Sequence, residues 1–187
     1  DSPARIGIFL CQCGDEIART VNLETVRKQA SALPDVIHTQ VLPFSCSPEA
    51  AETIREAVEA YHLEKAVLAA CSCCSVNQVC FSCTFQRVRC KQNLGLFTYI
   101  DESATEKLPP AQSARFEFIN VREQCAWVHA DNPRAATAKA ATLIAATVAK
   151  LRAESTKTVT ELPQQKTTLI LGRGAAVLRV RGWCGGA

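Results

Sequence analysis

Four short apolar segments in this sequence each run into a cysteine, and this recurring pattern constrains the fold most strongly. The segments 5–10, 36–42, 66–70 and 116–121 have the length and the apolar or β-branched character of buried strands. Helical patterns fill the connections and begin at residues that commonly cap helices, namely Asn22, Ser47 and Asn132. Strands that alternate with helices predict an α/β fold, with a mostly parallel sheet and crossover helices.

The carboxyl ends of parallel strands meet at one edge of a sheet, and open α/β sheets form their sites there. We therefore expect the cysteines that follow the four strands to converge as the primary ligand set: Cys11 or Cys13, Cys46, Cys71 and Cys125. Four thiolates suit an iron–sulfur cluster or a zinc ion. We favour the cluster, because structural zinc usually takes closely spaced cysteine pairs. A zinc-stabilised interaction module is the alternative.

Composition narrows the class of protein. The 187 residues are 48% hydrophobic and 21% charged, which predicts a soluble folded domain that does not depend on disulfides. A net charge of +3, without a stripe of basic and aromatic residues, argues against nucleic-acid binding. No apolar run reaches the roughly 20 residues of a membrane span. No secretory signal opens the chain, so we expect a cytoplasmic protein whose cysteines stay reduced and available for metals.

Six of the eleven cysteines fall between residues 71 and 90. Besides Cys71, this segment holds five cysteines that form a candidate second cluster site: Cys73, Cys74, Cys80, Cys83 and Cys90. Residues 75–94 also have the apolar spacing of a helix, on which some of these cysteines would serve only as small apolar side chains. The Cys80-x-x-Cys83 spacing suits a thiol–disulfide oxidoreductase as well, which is a third functional hypothesis.

Cys125 and His129 stand four residues apart, a spacing that would place a thiol and an imidazole on one face of a helix. The sequence offers neither a third orienting group nor an oxyanion motif beside them. We therefore expect no covalent catalysis from this pair.

The C-terminal part of the sequence begins a second fold. After a predicted strand at 168–171, Gly172-x-Gly174 resembles the glycine turn of a dinucleotide-binding motif. The motif is incomplete, because Val177 replaces its third small residue and no acidic residue follows to bind a ribose. We predict three regions: a cysteine-rich α/β domain at 1–154, a linker at 155–166 and the truncated start of a dinucleotide-binding domain at 167–187.

Four segments together resemble the N-terminal domain of the heterodisulfide reductase A subunit: Ile6 to Gly14, Cys46-Ser47-Pro48, Val67 to Ser72 and Asn120 to His129. The resemblance covers residues 5–154 and the start of what is an FAD-binding domain in that family. It implies an electron-transfer role with iron–sulfur clusters of the 4Fe–4S type, and with FAD only in the full-length protein. It also implies partners, namely the other redox subunits of a heterodisulfide reductase-like complex. The isolated chain is then expected to be catalytically incomplete.

Carried over residue by residue, the resemblance makes Cys13, Cys46, Cys71 and Cys125 cluster-ligand candidates, with Cys11 as an alternate. It assigns Gly172 and Gly174 to FAD, and it gives Arg122, Glu123 and Trp127 a supporting role beside the cysteine loop. Two features depart from the family. Cys73-Cys74 stands where family members continue with a proline-containing segment, which favours extra cluster ligation. The residues after Gly174 leave the family pattern, as a frame shift or an artificial end would.

Overall fold

Four parallel strands form the sheet at the centre of the fold. The computed structural model describes residues 3–72, 90, 93, 94 and 114–154. In this part of the chain the strands are β1 (Ile6–Cys11), β2 (Val36–Leu42), β3 (Lys65–Ala70) and β4 (Arg115–Asn120), in the spatial order β2-β1-β3-β4. Each of the three pairings is parallel. The predicted α/β class is confirmed, and the four strands predicted at 5–10, 36–42, 66–70 and 116–121 begin and end within one residue of the observed strands.

Helices lie between and after the strands. The described α-helices are α1 (Asp15–Ala18), α2 (Leu23–Ser31), α3 (Pro48–Ala60) and α4 (Pro133–Ala153), and a π-helix spans Arg122–Trp127. The predicted caps are confirmed, because the side chains of Asn22, Ser47 and Asn132 each accept a hydrogen bond from the N–H three residues further on. The sequence does not predict α1 or the π-helix, since each is too short to carry a periodic apolar pattern.

Helices cover the sheet on both faces, and each face has its own apolar core. On one face, Leu10 and Val67 pack with residues of α2 and α4, and we call this the α2–α4 face. On the other, Phe9 and Leu68 pack with residues of α3, which defines the α3 face. Successive side chains of a strand point to opposite faces of the sheet, which is why the neighbours Phe9 and Leu10 pack in different cores. The central strands β1 and β3 are therefore apolar almost throughout.

Several predicted features fall outside the described residues. They include most of the helix at 75–94, the linker at 155–166, and the region 167–187 with Gly172 and Gly174. The described elements belong to one compact unit. None of the described helices is long and apolar enough to cross a membrane.

Candidate functional site

Three cysteine thiols meet at the carboxyl ends of the central strands β1 and β3. Cys11 is the last residue of β1, Cys13 lies two residues beyond it, and Cys71 directly follows β3. The thiol of Cys13 shares hydrogen bonds with the thiols of both Cys11 and Cys71. All three residues are buried. The structure thus brings together three of the cysteines that the strand pattern predicts at this edge.

Cys11 has an environment that stabilises a thiolate. Its Sγ accepts hydrogen bonds from the backbone N–H groups of Cys13 and Ser45, each at 3.2 Å. The hydrogen bond from the Cys13 thiol, which outweighs burial, and the hydrogen bonds from Ser45 lower the pKa of Cys11 to about 6. The pKa of Cys13 is raised in turn, because its proton is shared with Cys11 and Cys71. Cys11 therefore carries the negative charge of the pair.

The loop after β1 has a positive φ at two consecutive residues, and the first of them is not a glycine. Cys13 has a φ of 53° and Gly14 a φ of 59°, both in the region that favours glycine. A non-glycine residue in a left-handed conformation costs roughly 1–2 kcal/mol. A Cβ atom at Gly14 would lie 3.2 Å from the ring of Phe44, so glycine also makes room there. In this conformation the Cys13 N–H donates to Cys11 Sγ, so the strained turn holds the two cysteines together.

A buried arginine lies against the thiols. Arg122, the first residue of the π-helix, is 1% exposed, and its Nη1 donates to Cys13 Sγ at 3.5 Å. Its Nε and Nη2 donate to Glu123 Oε1 at 3.2 and 2.8 Å. Burial alone would lower the pKa of Arg122, but the hydrogen bonds to Glu123 and the electrostatic attraction to Cys71, Glu123 and Cys13 raise it. The guanidinium therefore stays charged beside the sulfur atoms.

Glu123 ties the π-helix to the residue that follows Cys71. Its carboxylate accepts hydrogen bonds from the Ser72 N–H at 3.1 Å and from the Ser72 hydroxyl at 2.7 Å. Burial opposes the charge, but the hydrogen bonds from Ser72 and Arg122 hold the pKa of Glu123 below its usual range. Glu123 is thus an ionised anchor for the Cys71–Ser72 turn.

Trp127 completes the link to the cysteine loop. The Arg122 guanidinium carbon lies 4.6 Å from the centre of the Trp127 ring, a cation–π contact. The indole Nε1 donates to Glu16 in α1 at 2.9 Å, and Glu16 lies three residues beyond Cys13. Through these contacts the π-helix braces both cysteine-bearing turns, as expected for the supporting role of Arg122, Glu123 and Trp127.

Cys125 lies on the same α2–α4 face but in a different chemical environment. It is completely buried within the π-helix, and this burial raises its pKa to about 11 despite the nearby charge of Lys139. Its carbonyl accepts a hydrogen bond from the backbone N–H of His129. Cys125 is therefore a neutral thiol in this structure, in contrast to Cys11.

Cys46 and Cys90 pack on the opposite face. Cys90 is buried in the α3-face core, and Cys46 packs against that core at partial exposure. The Ser45 hydroxyl lies 3.7 Å from Cys90 Sγ, and Asn93 Nδ2 donates to the Cys46 carbonyl at 2.9 Å. The α2–α4 face thus holds four of the five predicted candidates for the primary ligand set. The fifth, Cys46, packs against the α3-face core that contains Cys90. The other candidates of the second set, Cys73, Cys74, Cys80 and Cys83, lie outside the described residues.

The chemistry of the site fits a soft metal centre. Within the described residues, no group of three or more His, Cys, Asp or Glu side chains is arranged so that it would hold a metal ion. The donor set is nevertheless all sulfur, because the nearby Glu123 carboxylate is engaged by Arg122 and Ser72. Thiolates select iron–sulfur clusters, zinc or copper(I) over metals that prefer oxygen. The type of donor atom at this site, sulfur, therefore fits a metal centre bound by thiolates.

Two serines and one glutamate at the site are not predicted from the sequence. Ser45 and Ser72 donate to Cys11 and Glu123, and Glu16 holds the Trp127 indole. Ser45 stands directly before Cys46, and Ser72 directly after Cys71. A small polar residue next to a predicted ligand is the one available signal, since groups around a metal ligand commonly orient it. Glu16 offers no such signal beyond its place three residues after Cys13.

Comparison with known proteins identifies the relatives of this chain. No family model matches it. The A subunit of the ferredoxin/F420H2-dependent CoB-CoM heterodisulfide reductase of Methanosarcina acetivorans is 33% identical over 172 residues, which cover 92% of this chain and 19% of the relative. One of the iron-sulfur A subunits of the CoB–CoM heterodisulfide reductase of Methanopyrus kandleri is 32% identical over 172 residues, 92% of this chain and 22% of the relative.

A third relative comes from a third organism. A protein of Archaeoglobus profundus, named for its likeness to the heterodisulfide reductase A subunit, is 34% identical over 148 residues, which cover 79% of this chain and 18% of the relative. The chain therefore spans about a fifth of the length of the curated relatives it matches. Over the region that it covers, the chain is a homologue of the A subunits of heterodisulfide reductases.

Proposed function

We propose that this chain binds an iron–sulfur cluster at the carboxyl edge of its sheet and transfers electrons as part of a protein like the heterodisulfide reductase A subunit. The observation that carries the proposal is the meeting of the Cys11, Cys13 and Cys71 thiols beside the buried cation of Arg122. The name of the Methanopyrus kandleri relative, which calls that protein an iron-sulfur subunit, supports the same chemistry. A bound cluster would accept and release single electrons.

The ligand assignment follows the geometry of the thiols. Cys11, Cys13 and Cys71 form the core of the proposed site, because the Cys13 thiol interacts with the thiols of the other two. Cys125 lies on the same face and is the first candidate for a further ligand, with Cys46 as the second. A 4Fe–4S cluster takes four thiolates, which this set supplies. The remaining predicted candidates, Cys73, Cys74, Cys80, Cys83 and Cys90, would serve a second cluster or the rim of the first.

The setting of the site in a larger protein is part of the proposal. Residues 1–154 form the cluster-binding domain, 155–166 the linker and 167–187 the start of an FAD-binding domain that Gly172 and Gly174 would serve. Electrons would pass to other redox subunits of a heterodisulfide reductase-like complex in the cytoplasm. The family of the relatives supports this setting, since each of them extends well beyond the matched region.

Anaerobic purification followed by iron and acid-labile sulfide analysis tests the proposal. We expect bound iron with sulfide, and a visible charge-transfer absorbance that dithionite bleaches. Cys13→Ser and Cys71→Ser should abolish the primary cluster, and comparison of Cys125→Ser with Cys46→Ser should identify the further ligand. Cys90→Ser tests whether the second set of cysteines is separate from the first, because Cys90 lies in the core of the opposite face and its loss should then leave the primary cluster in place.

Other results would favour the other functional hypotheses. Stoichiometric zinc without sulfide would support a zinc-stabilised module instead. Disulfide reduction by the metal-free chain, lost in a Cys80→Ser variant, would support a thiol–disulfide oxidoreductase. A reconstituted protein with neither iron nor sulfide would overturn the proposed function.

A further inference from the structure

Arg122 is the most deeply buried charged side chain described in this protein, and it lies at the thiols. It is 1% exposed, and its Nη1 contacts Cys13 Sγ at 3.5 Å. Electrostatic attraction to the sulfur atoms of Cys71 and Cys13 also helps to raise its pKa. Arginine keeps its proton under all ordinary conditions, so a positive charge is permanently enclosed beside these sulfur atoms.

Support of the fold does not by itself account for a cation at this position. Burying an ion pair costs several kcal/mol per ion in desolvation, and well-packed apolar residues often replace such a pair without loss of stability. The turn after Cys71 is already anchored by Glu123 through Ser72. The cationic group therefore adds something that Glu123 does not, namely positive charge and a hydrogen-bond donor at sulfur.

Glu123 opposes this charge only in part. Its Oε1 lies 2.8 Å from Arg122 Nη2, on the side of the guanidinium that also carries Nε, whereas Nη1 points to Cys13. In a low-dielectric interior, the positive charge of Arg122, which lies nearer to the thiols, acts on them more strongly than the more distant negative charge of Glu123. The side of the pair that faces the sulfur atoms is thus the positive one.

We propose that Arg122 is a positioning residue that raises the reduction potential of the cluster held by Cys13 and Cys71, and that Glu123 moderates this effect. The inference rests on the proposed function. When the cluster takes one electron from a one-electron reductant, its charge becomes more negative by one unit, no bond breaks and Arg122 stays protonated. A nearby cation and a hydrogen bond to a ligand sulfur both stabilise that reduced form, and both are recognised determinants of cluster potential.

The two members of the ion pair make opposite predictions. Arg122→Gln removes the positive charge and should lower the potential. Glu123→Gln removes the opposing negative charge and should raise it. Arg122→Lys keeps the positive charge but loses the planar guanidinium with its several hydrogen-bond donors. The cluster potential of this variant should therefore lie between those of the wild type and Arg122→Gln. A role limited to structural support would not produce shifts of opposite sign.

An anaerobic redox titration of each variant, followed by the cluster's visible absorbance, tests the inference. Iron and sulfide per chain are measured first, so that only loaded protein is compared. We expect at least a tenfold fall in the reduced-to-oxidised ratio for Arg122→Gln at a fixed potential, equivalent to about 59 mV for one electron. The matched control is Arg27→Gln, which breaks an exposed ion pair with Glu24 on α2 and should leave the potential unchanged.

The outcomes separate this inference from the proposed function. A wild-type chain that binds no cluster overturns both. A loaded protein whose potential is the same in Arg122→Gln and the wild type, or shifts in the same direction in Arg122→Gln and Glu123→Gln, overturns the inference alone. If Arg122→Gln fails to fold or to retain the cluster, the potentials of Arg122→Lys and Glu123→Gln are compared instead. Shifts that are absent or of equal sign in these two variants would overturn the inference.

Discussion

Arg122 Nη1 donates a hydrogen bond to Cys13 Sγ across a separation of 109 residues in sequence. Arg122 follows β4 and Cys13 follows β1, and β3 lies between these strands in the sheet. The side chain therefore crosses the carboxyl end of β3, where Cys71 lies. One contact thus connects the ends of three strands, and the thiol site depends on all of them.

The buried ion pair of Arg122 and Glu123 should be strongly coupled in stability. Arg122→Met leaves the Glu123 carboxylate buried without its cation, which we expect to cost about 3–5 kcal/mol. The double variant Arg122→Met/Glu123→Gln should cost less than the sum of the two single variants, by about 1–3 kcal/mol. Urea unfolding of the reduced, metal-free protein measures these free energies.

The exposed pair of Arg27 and Glu24 provides the control for that measurement. Its side chains are 35% and 55% exposed, and Arg27→Met should change the unfolding free energy by less than about 1 kcal/mol. Strict additivity of the two changes at Arg122 and Glu123 would show that the buried pair does not act as a unit.

Gly14 should resist any substitution that adds a Cβ atom. Its φ of 59° with a ψ of −124° is a conformation that other residues rarely adopt. We expect Gly14→Ala to reduce the free energy of unfolding by about 1–3 kcal/mol, again measured by urea unfolding. Because Gly14 follows Cys13 directly, the variant should also weaken retention of a bound cluster.

A second substitution separates backbone strain from crowding at Gly14. Phe44 is the side chain that an added Cβ atom would meet, and it is half exposed. In a Phe44→Ala background, Gly14→Ala should retain most of its destabilising effect if the backbone angle is the cause. Complete recovery in the double variant would instead assign the effect to the ring.

The thiolate of Cys11 should be visible in the pH dependence of the metal-free protein. Its folded-state pKa of about 6 is below the ordinary thiol value of about 8.5. A lowered pKa stabilises the folded state fully above the ordinary value, and this stabilisation is lost as pH falls through 6. The stability difference between wild type and Cys11→Ser should therefore shrink as pH falls from about 9 to about 5.

Ultraviolet thiolate absorbance provides a direct readout of the same group. Under reducing, metal-free conditions we expect one thiolate to appear with a midpoint near pH 6, and to be absent in Cys11→Ser. Cys125→Ser should leave this transition in place, because burial raises the pKa of Cys125 to about 11. A first transition above pH 8 in the wild type would contradict the assignment.

The sequence predicts the elements of this fold well because their signals are local. Asn22, Ser47 and Asn132 cap helices where they stand in the chain, and β1 and β3 read as apolar runs that end at Cys11 and Cys71. The π-helix at Arg122–Trp127 carries no such signal, since its form depends on the contacts of Arg122, Glu123 and Trp127 with distant loops. The supporting role of these residues is implied by the family resemblance, and no periodic pattern of apolar residues predicts it.

The sequence by itself determined that strands and helices alternate, that the helices begin at their caps, and that each strand leads to a cysteine. These properties depend on neighbours a few residues apart. Only the tertiary structure decided that the strand order is β2-β1-β3-β4, that Cys11, Cys13 and Cys71 meet, and that Cys46 packs with Cys90 on the opposite face. The strand order, and the face of the sheet on which each cysteine lies, depend on the burial of apolar side chains between segments that are distant in sequence. Local sequence patterns do not encode these long-range contacts.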